Sequence, residues 1–183
     1  MNDLQKEKKA GLSRWYLKDV ILRRKLIRSK YHTPGFGLTA QLFSVMSKFI
    51  LEKLGPEEGE ALIKDAVEYF AKERGKSIAR NVKKQNKPLS FKNWLLYTDI
   101  DGSNFPVKPH IDNSDLVAPV TECSFHKAAK EWGLEDYSKY YCKYADYAIL
   151  DGYNPDVKLD LKTRHESGND ECVFRYIMKE ENK

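Results

Sequence analysis

The stretch that decides the fold lies near the C-terminus: Val157-Lys158-Leu159-Asp160-Leu161-Lys162, followed by Glu171-Cys172-Val173-Phe174-Arg175-Tyr176-Ile177-Met178. In the first segment apolar and charged side chains alternate with a period of two, which is typical of a half-buried strand. The second segment is rich in β-branched and aromatic residues, and Ser167-Gly168-Asn169-Asp170 supplies turn residues between the two. We therefore predict an antiparallel hairpin here.

Upstream of this hairpin, two shorter apolar runs predict two more strands, over 105–111 and 116–120. The remaining segments show helical spacing of their apolar side chains. Helices are predicted over 12–28, over 42–54, from Leu62 to near Gly75 with a shorter continuation to about Lys87, from a Ser90 cap through Tyr97, over 125–132 and over 137–148. Residues 31–37 read as a linker, because they contain proline and two glycines.

These elements predict an α+β fold, in which a helical N-terminal half packs on a C-terminal antiparallel sheet of about four strands with two helices. We divide the chain into a basic amphipathic helix and linker (1–34), a helical half (35–98) and an α+β half (99–183), which together form one globular domain. With 183 residues, 41% of them apolar, the chain is long enough to bury one core.

The net charge of +5 is concentrated in one segment. Residues 1–30 contain ten basic and three acidic side chains, so the other 153 residues hold 22 basic and 24 acidic ones. This distribution argues against a nucleic-acid-binding core and assigns the excess charge to the predicted helix over 12–28. Binding of that helix to nucleic acid or to an anionic membrane is a disfavoured alternative. Its apolar face offers a surface for a homodimer.

The sequence has no apolar run long enough for a membrane helix and no apolar run of a signal peptide, so we expect a cytoplasmic protein. Three cysteines form an odd number in a chain that does not need disulfides, which favours free thiols. Phosphate-loop, dinucleotide-binding, zincin and serine-hydrolase motifs are absent.

Candidate chemistry centres on those cysteines. Cys142 and Asp146 stand four apart on the tyrosine-rich helix, so they share one stripe, where the acid can orient a water or bind an amidinium group. Cys123 precedes a predicted helix, a position that stabilises a thiolate, and His126 follows three residues later. The structural alternative is that these are simply buried or surface residues.

The predicted hairpin adds further candidates. Cys172 opens the last strand, where it alternates with Phe174, Tyr176 and Met178 on one face, and core packing is the role that this pattern favours for it taken alone. Arg164 and His165 end the preceding strand, where an arginine can hold a carboxylate and a histidine can exchange protons. A solvated hairpin end is the alternative for this pair.

Together these stretches resemble the family named for L-2-amino-thiazoline-4-carboxylic acid hydrolase. The resemblance covers about residues 40–178 loosely and 120–176 well. It rests on Glu122-Cys123-Ser124-Phe125, Tyr141-Cys142-Lys143-Tyr144-Ala145-Asp146-Tyr147, Gly152-Tyr153-Asn154-Pro155 and Gly168-Asn169-Asp170-Glu171-Cys172-Val173-Phe174-Arg175. The segment Thr163-Arg164-His165-Glu166-Ser167 departs from the family's more usual threonine-rich approach to that glycine.

The resemblance implies a small hydrolase that opens a cyclic amidine or thiazoline ring with water and releases an N-carbamoyl amino acid, without a cofactor. It implies the following roles: Cys142 or Cys123 as nucleophile, His126 or His165 as acid/base, Asp146 as partner of the amidinium, Arg164 or Arg175 as clamp for a carboxylate, and Tyr141 as a substrate contact.

A rival interpretation is a non-catalytic domain that binds a small ligand or a metal, since the pattern also resembles vinyl-reductase-type ligand-binding domains. In that case Cys123, Cys142 and Cys172, together with His126, His165 or Asp146, supply soft ligands for Zn or Fe.

Overall fold

The structure is a computed structural model that describes Lys18, Asp19, Leu22, Arg23, residues 35–167 and residues 170–178. The chain divides into two compact units, Met1–Pro34 and Gly35–Lys183. In the first unit the four described residues are helical, and Arg23 Nε donates to Asp19 Oδ2 at 2.8 Å, one turn earlier. The rest of the helix predicted over 12–28 lies outside the described residues, as do Gly168 and Asn169 of the predicted turn.

The second unit has an α+β fold, as predicted. Its helices are α1 (Gly35–Leu54), α2 (Pro56–Lys84), α3 (Phe91–Tyr97), α4 (Ser124–Glu131), α5 (Glu135–Tyr153) and α6 (Arg164–Ser167), with a short 3₁₀ turn at Gly102–Asn104. Its strands are β1 (His110–Asp112), β2 (Asp115–Val120), β3 (Lys158–Lys162) and β4 (Cys172–Ile177).

The four strands form one antiparallel sheet in the order β1-β2-β4-β3. The predicted hairpin is confirmed as β3 and β4, with Leu161 opposite Phe174. In the other direction β4 pairs with β2, which places Cys172 opposite Val120. The first strand is shorter than predicted, because only His110–Asp112 joins the ladder and Val107 makes an isolated bridge to Val120.

Two predictions around glycines and one around the hairpin are wrong. Gly35 and Gly37 do not belong to a linker but lie in the first turn of α1. Gly75 does not end a helix, because α2 runs through it to Lys84. Arg164 and His165 do not end a strand; β3 stops at Lys162 and both residues lie in the helical turn α6.

The close crossing of α2 and α5 explains why a glycine lies inside α2. A Cβ at Gly75 would stand 2.0 Å from the carbonyl oxygen of Ile149, and a Cβ at Gly152 would stand 2.3 Å from that of Lys72. Only glycines let two helix backbones approach this closely. Around the crossing lies the core, which includes Ile63, Val67, Ile78, Ile149 and Tyr153. The crossing therefore fixes the neighbouring turns of α2 and α5 against each other.

Candidate functional site

An enclosed pocket of about 180 Å³ lies between the helices and one face of the sheet. This volume is below the roughly 300–1,000 Å³ of sites for drug-sized molecules, so the pocket suits a small ligand. Residues of five helices, of three strands and of the connecting loops line this pocket. They are mostly apolar and aromatic, with the polar and thiol groups Arg74, Thr98, Cys123, Tyr141, Cys142, Asp146, Thr163, Cys172 and Tyr176.

The three cysteines and Asp146, which the sequence singles out as candidates, all border this pocket. Cys142 and Asp146 both border the pocket, as their spacing of four on α5 predicts. Cys123 reaches it from the residue before α4, and Cys172 from the start of β4. All three cysteines are free thiols.

Asp146 is the acidic side chain of this pocket. Within the described part of the chain, no hydrogen bond or ion pair reaches its carboxylate, and its neighbouring charge is that of Arg74. Burial raises the pKa of Asp146 to about 6, and the Arg74 charge opposes this rise only in part. A carboxyl group with a pKa near neutrality is able both to accept a proton and to pair with a cation.

The thiols of Cys142 and Cys123 differ in their surroundings. Burial raises the pKa of Cys142 well above its ordinary value, and the nearby Asp146 charge adds to this. Burial also raises the pKa of Cys123, but the backbone N–H groups of His126 and Phe125 and the charge of Arg164 work in the opposite direction. This is the influence expected at a helix N-terminus, since Cys123 is the residue that precedes α4.

Cys123 also borders a second, more open cleft of about 470 Å³. Of the described residues, Cys123 alone lines both cavities. Most of the residues that line this outer cleft are polar or charged, among them His126, Lys127, Lys130 and Arg164. Cys123 therefore stands between the enclosed pocket and an opening to solvent.

His126 and His165 contact each other rather than the thiols. Their rings meet edge to face with centroids 5.5 Å apart, and His126 Nδ1 and His165 Nε2 are buried without a hydrogen-bond partner in the described structure. Burial lowers the pKa of both histidines, and the Arg164 charge lowers them further. Both imidazoles are therefore neutral at neutral pH and able to accept a proton.

The two predicted arginine clamps lie outside the enclosed pocket. Arg164 donates from Nη2 to the carbonyl oxygens of Val120 and Thr121, at 3.3 and 3.2 Å, and borders the outer cleft. Arg175 has its guanidinium on Asp112 and Asp115, which ties β4 to the β1–β2 hairpin.

The arginine that does border the enclosed pocket is Arg74, which the sequence did not single out. Arg74 lies in the charged run Lys72–Lys76, which looks like a solvated helix face. Its guanidinium donates to Asp99 and to the hydroxyl of Tyr141, and Tyr141 stacks on Phe125 with ring centroids 4.7 Å apart. The signal that points to this arginine is the adjacent Gly75, which marks a close approach of α2 to α5.

Among the residues that the structure describes, no group of three or more His, Cys, Asp or Glu side chains is arranged to hold a metal ion. The Zn or Fe alternative stays a prediction that metal analysis of the purified protein can test.

The α+β fold thus places an acid, an arginine and three thiols around one small pocket. The chain belongs to the L-2-amino-thiazoline-4-carboxylic acid hydrolase family, whose model matches residues 36–176. The match spans the whole pocket. Neither the curated proteins nor the solved structures give a match. Of the helices described, none is long and apolar enough to cross a membrane.

Proposed function

We propose that the chain is a hydrolase that opens a small cyclic amidine, of the 2-amino-thiazoline-4-carboxylate kind, in the enclosed pocket. Family membership supports the class of hydrolase. The observation that carries the proposal is the half-buried carboxylate of Asp146, which borders a small apolar pocket and has no hydrogen-bond or ion-pair partner within the described residues. Such a group favours a cationic ligand, because an unpaired buried charge is costly until a counterion reaches it.

The protonated substrate supplies that counterion. Its ring carbon is bonded to two nitrogens and one sulfur, and it becomes electrophilic when the amidinium form is present. In the proposed complex Asp146 pairs with the two N–H groups of the amidinium. This ion pair holds the ring with its carbon toward the thiols and keeps it in the reactive, protonated form.

We assign the nucleophile to Cys123 rather than Cys142. Helix amides and Arg164 favour the thiolate of Cys123, whereas burial and the charge of Asp146 both disfavour the thiolate of Cys142. His126 is neutral and borders the outer cleft together with Cys123, so it takes the proton of the Cys123 thiol through a water molecule of that cleft. The outer cleft supplies the water, since Cys123 borders it as well.

The steps balance as follows. The Cys123 sulfur bonds to the ring carbon, the ring C–S bond breaks, and the departing sulfur takes a proton to become a free thiol. Water then attacks the same carbon, the bond to Cys123 breaks, and the water oxygen becomes the carbonyl oxygen of the N-carbamoyl product. The net change is addition of one water, and the enzyme thiol is regenerated.

Single Cys123→Ser and Cys142→Ser variants, assayed for release of the product thiol, test this assignment. We expect the Cys123→Ser variant to lose about 1,000-fold or more in kcat, as removal of a covalent nucleophile does, and the Cys142→Ser variant to stay within about tenfold of wild type. Intact mass spectrometry of the wild type during turnover should detect the adduct on Cys123. Full activity in both variants removes covalent catalysis, and a wild type that opens neither this ring nor close analogues overturns the proposed function.

A further inference from the structure

Arg74 stands out among the pocket side chains because of how firmly it is held. Nε and Nη2 donate to the two carboxylate oxygens of Asp99, at 3.0 and 2.6 Å, and Nη1 donates to the hydroxyl of Tyr141 at 2.7 Å. Only 14% of the Arg74 side chain is exposed. The guanidinium is thus fixed in one orientation before any ligand binds.

The guanidinium keeps donors to spare. It has five N–H groups, and these three hydrogen bonds use three of them, which leaves one N–H on each terminal nitrogen. A carboxylate is the group that a pair of arginine N–H donors fits best. Asp99 holds the guanidinium through Nε and Nη2, so a ligand carboxylate would be the second acid on the same cation.

The charges of the pocket form one complementary pair. Of the described residues that line it, Arg74 is the one base and Asp146 the one acid, and all other walls are neutral. A ligand that matches both carries a positive and a negative group on one small frame. Arg164 and Arg175 do not offer this match, because one borders the outer cleft and the other is bound to two aspartates outside the pocket.

We propose that Arg74 is the specificity-determining residue that binds the carboxylate of the substrate, and that Tyr141 and Asp99 are positioning residues that hold its guanidinium. This assignment rests on the proposed function, because it takes the amidinium end of the same ligand to lie on Asp146.

The test compares two substrates in two enzymes. The probes are 2-amino-thiazoline-4-carboxylate and 2-amino-thiazoline, which lacks the carboxylate. We expect the wild type to prefer the carboxylated ring by about 10- to 100-fold in kcat/KM, the size of one charge-assisted contact. In the Arg74→Gln variant this preference should vanish, because kcat/KM for the carboxylated ring falls by about 10- to 100-fold more than kcat/KM for 2-amino-thiazoline. Arg80→Gln, an exposed arginine on the same helix, is the matched control and should keep the preference.

A second variant separates recognition from folding. Tyr141→Phe keeps Arg74 and its ion pair with Asp99, and it should raise KM for the carboxylated ring more than KM for 2-amino-thiazoline, with little change in kcat. Equal losses on both probes in Arg74→Gln, or an unchanged preference, overturn the assignment. If the wild type turns over neither probe, the proposed function fails, and the Arg74 assignment is then decided by calorimetry with the same two probes: it stands if Arg74→Gln removes a binding preference for the carboxylated ring and falls if it does not.

Discussion

The acidic side chains on the two sides of helix α5 differ in their hydrogen-bond partners and in the direction of their pKa shifts. On the outer side Glu60 accepts hydrogen bonds from Lys143 and Tyr144, and these lower its pKa. On the pocket side Asp146 has no such partner in the described structure, and burial raises its pKa to about 6. Glu60 follows the usual rule that partly buried charges are paired, whereas Asp146 does not. An acid that is left unpaired in a cavity is a mark of a binding or catalytic role rather than of a stabilising one.

The largest expected effect of this difference is on activity. Asp146→Asn keeps the shape of the side chain but removes the charge that the amidinium needs, so we expect kcat/KM for ring opening to fall by about 100- to 1,000-fold. Glu60→Gln, the same chemical change on the outer side of α5, should alter kcat/KM by less than about twofold. An Asp146→Asn enzyme that keeps more than a tenth of wild-type kcat/KM would show that the two sides do not differ in function.

The second prediction tests whether the crossing of α2 and α5 holds the two sides of α5 in position. Gly75→Ala inserts a methyl group 2.0 Å from the Ile149 carbonyl oxygen, and the backbones have no room to yield without separating. We expect a loss of about 3 kcal/mol in the free energy of unfolding, measured by urea denaturation.

Gly102→Ala is the matched control for this measurement. Apart from its two chain neighbours, no residue has an atom within 4 Å of the position of its Cβ, so a change within about 0.5 kcal/mol is expected. If Gly75→Ala is equally harmless, the close approach of α2 and α5 is not what orders the pocket.

Local patterns in the sequence predict one part of this arrangement and miss the other. The alternation of Cys172, Phe174 and Tyr176 puts them on one face of a strand, and the spacing of Cys142 and Asp146 puts them on one stripe of a helix. Both predictions hold, and all five residues border the pocket. Each of these relations lies within one element, which is why periodicity alone is enough to find it.

The missed part depends on contacts between distant segments. Gly75 reads locally as a helix stop, yet the contact with α5 keeps it inside α2. Arg74 reads as one more charge in a solvated run, and only its neighbours Asp99 and Tyr141, 25 and 67 residues away along the chain, reveal a fixed site. The position of Arg175 in the alternation of β4 does not indicate that Asp112 and Asp115 bind its guanidinium. Long-range partners of this kind leave no periodic trace in the sequence.

The smallest expected effect concerns stability, and here the two sides of α5 should respond with opposite sign. The pKa of Asp146 rises from 3.8 to about 6 on folding, so the folded state binds the proton more tightly, and stability falls as pH rises from about 4 to 6. Asp146→Asn removes this penalty, and we expect it to be more stable than wild type by about 1–3 kcal/mol at pH 7, a gain that disappears below about pH 4.

Glu60 has a lowered pKa, so its ionised form stabilises the fold, and Glu60→Gln should cost less than about 1 kcal/mol at pH 7. Urea denaturation of both variants between pH 4 and pH 8 measures the two slopes. A destabilised Asp146→Asn protein at pH 7 would mean that the carboxylate is held by partners within the folded chain, and the pocket acid would then be structural. An Asp146→Asn protein that is more stable than wild type but inactive would show that the unpaired carboxylate lowers the stability of the fold and is required for activity.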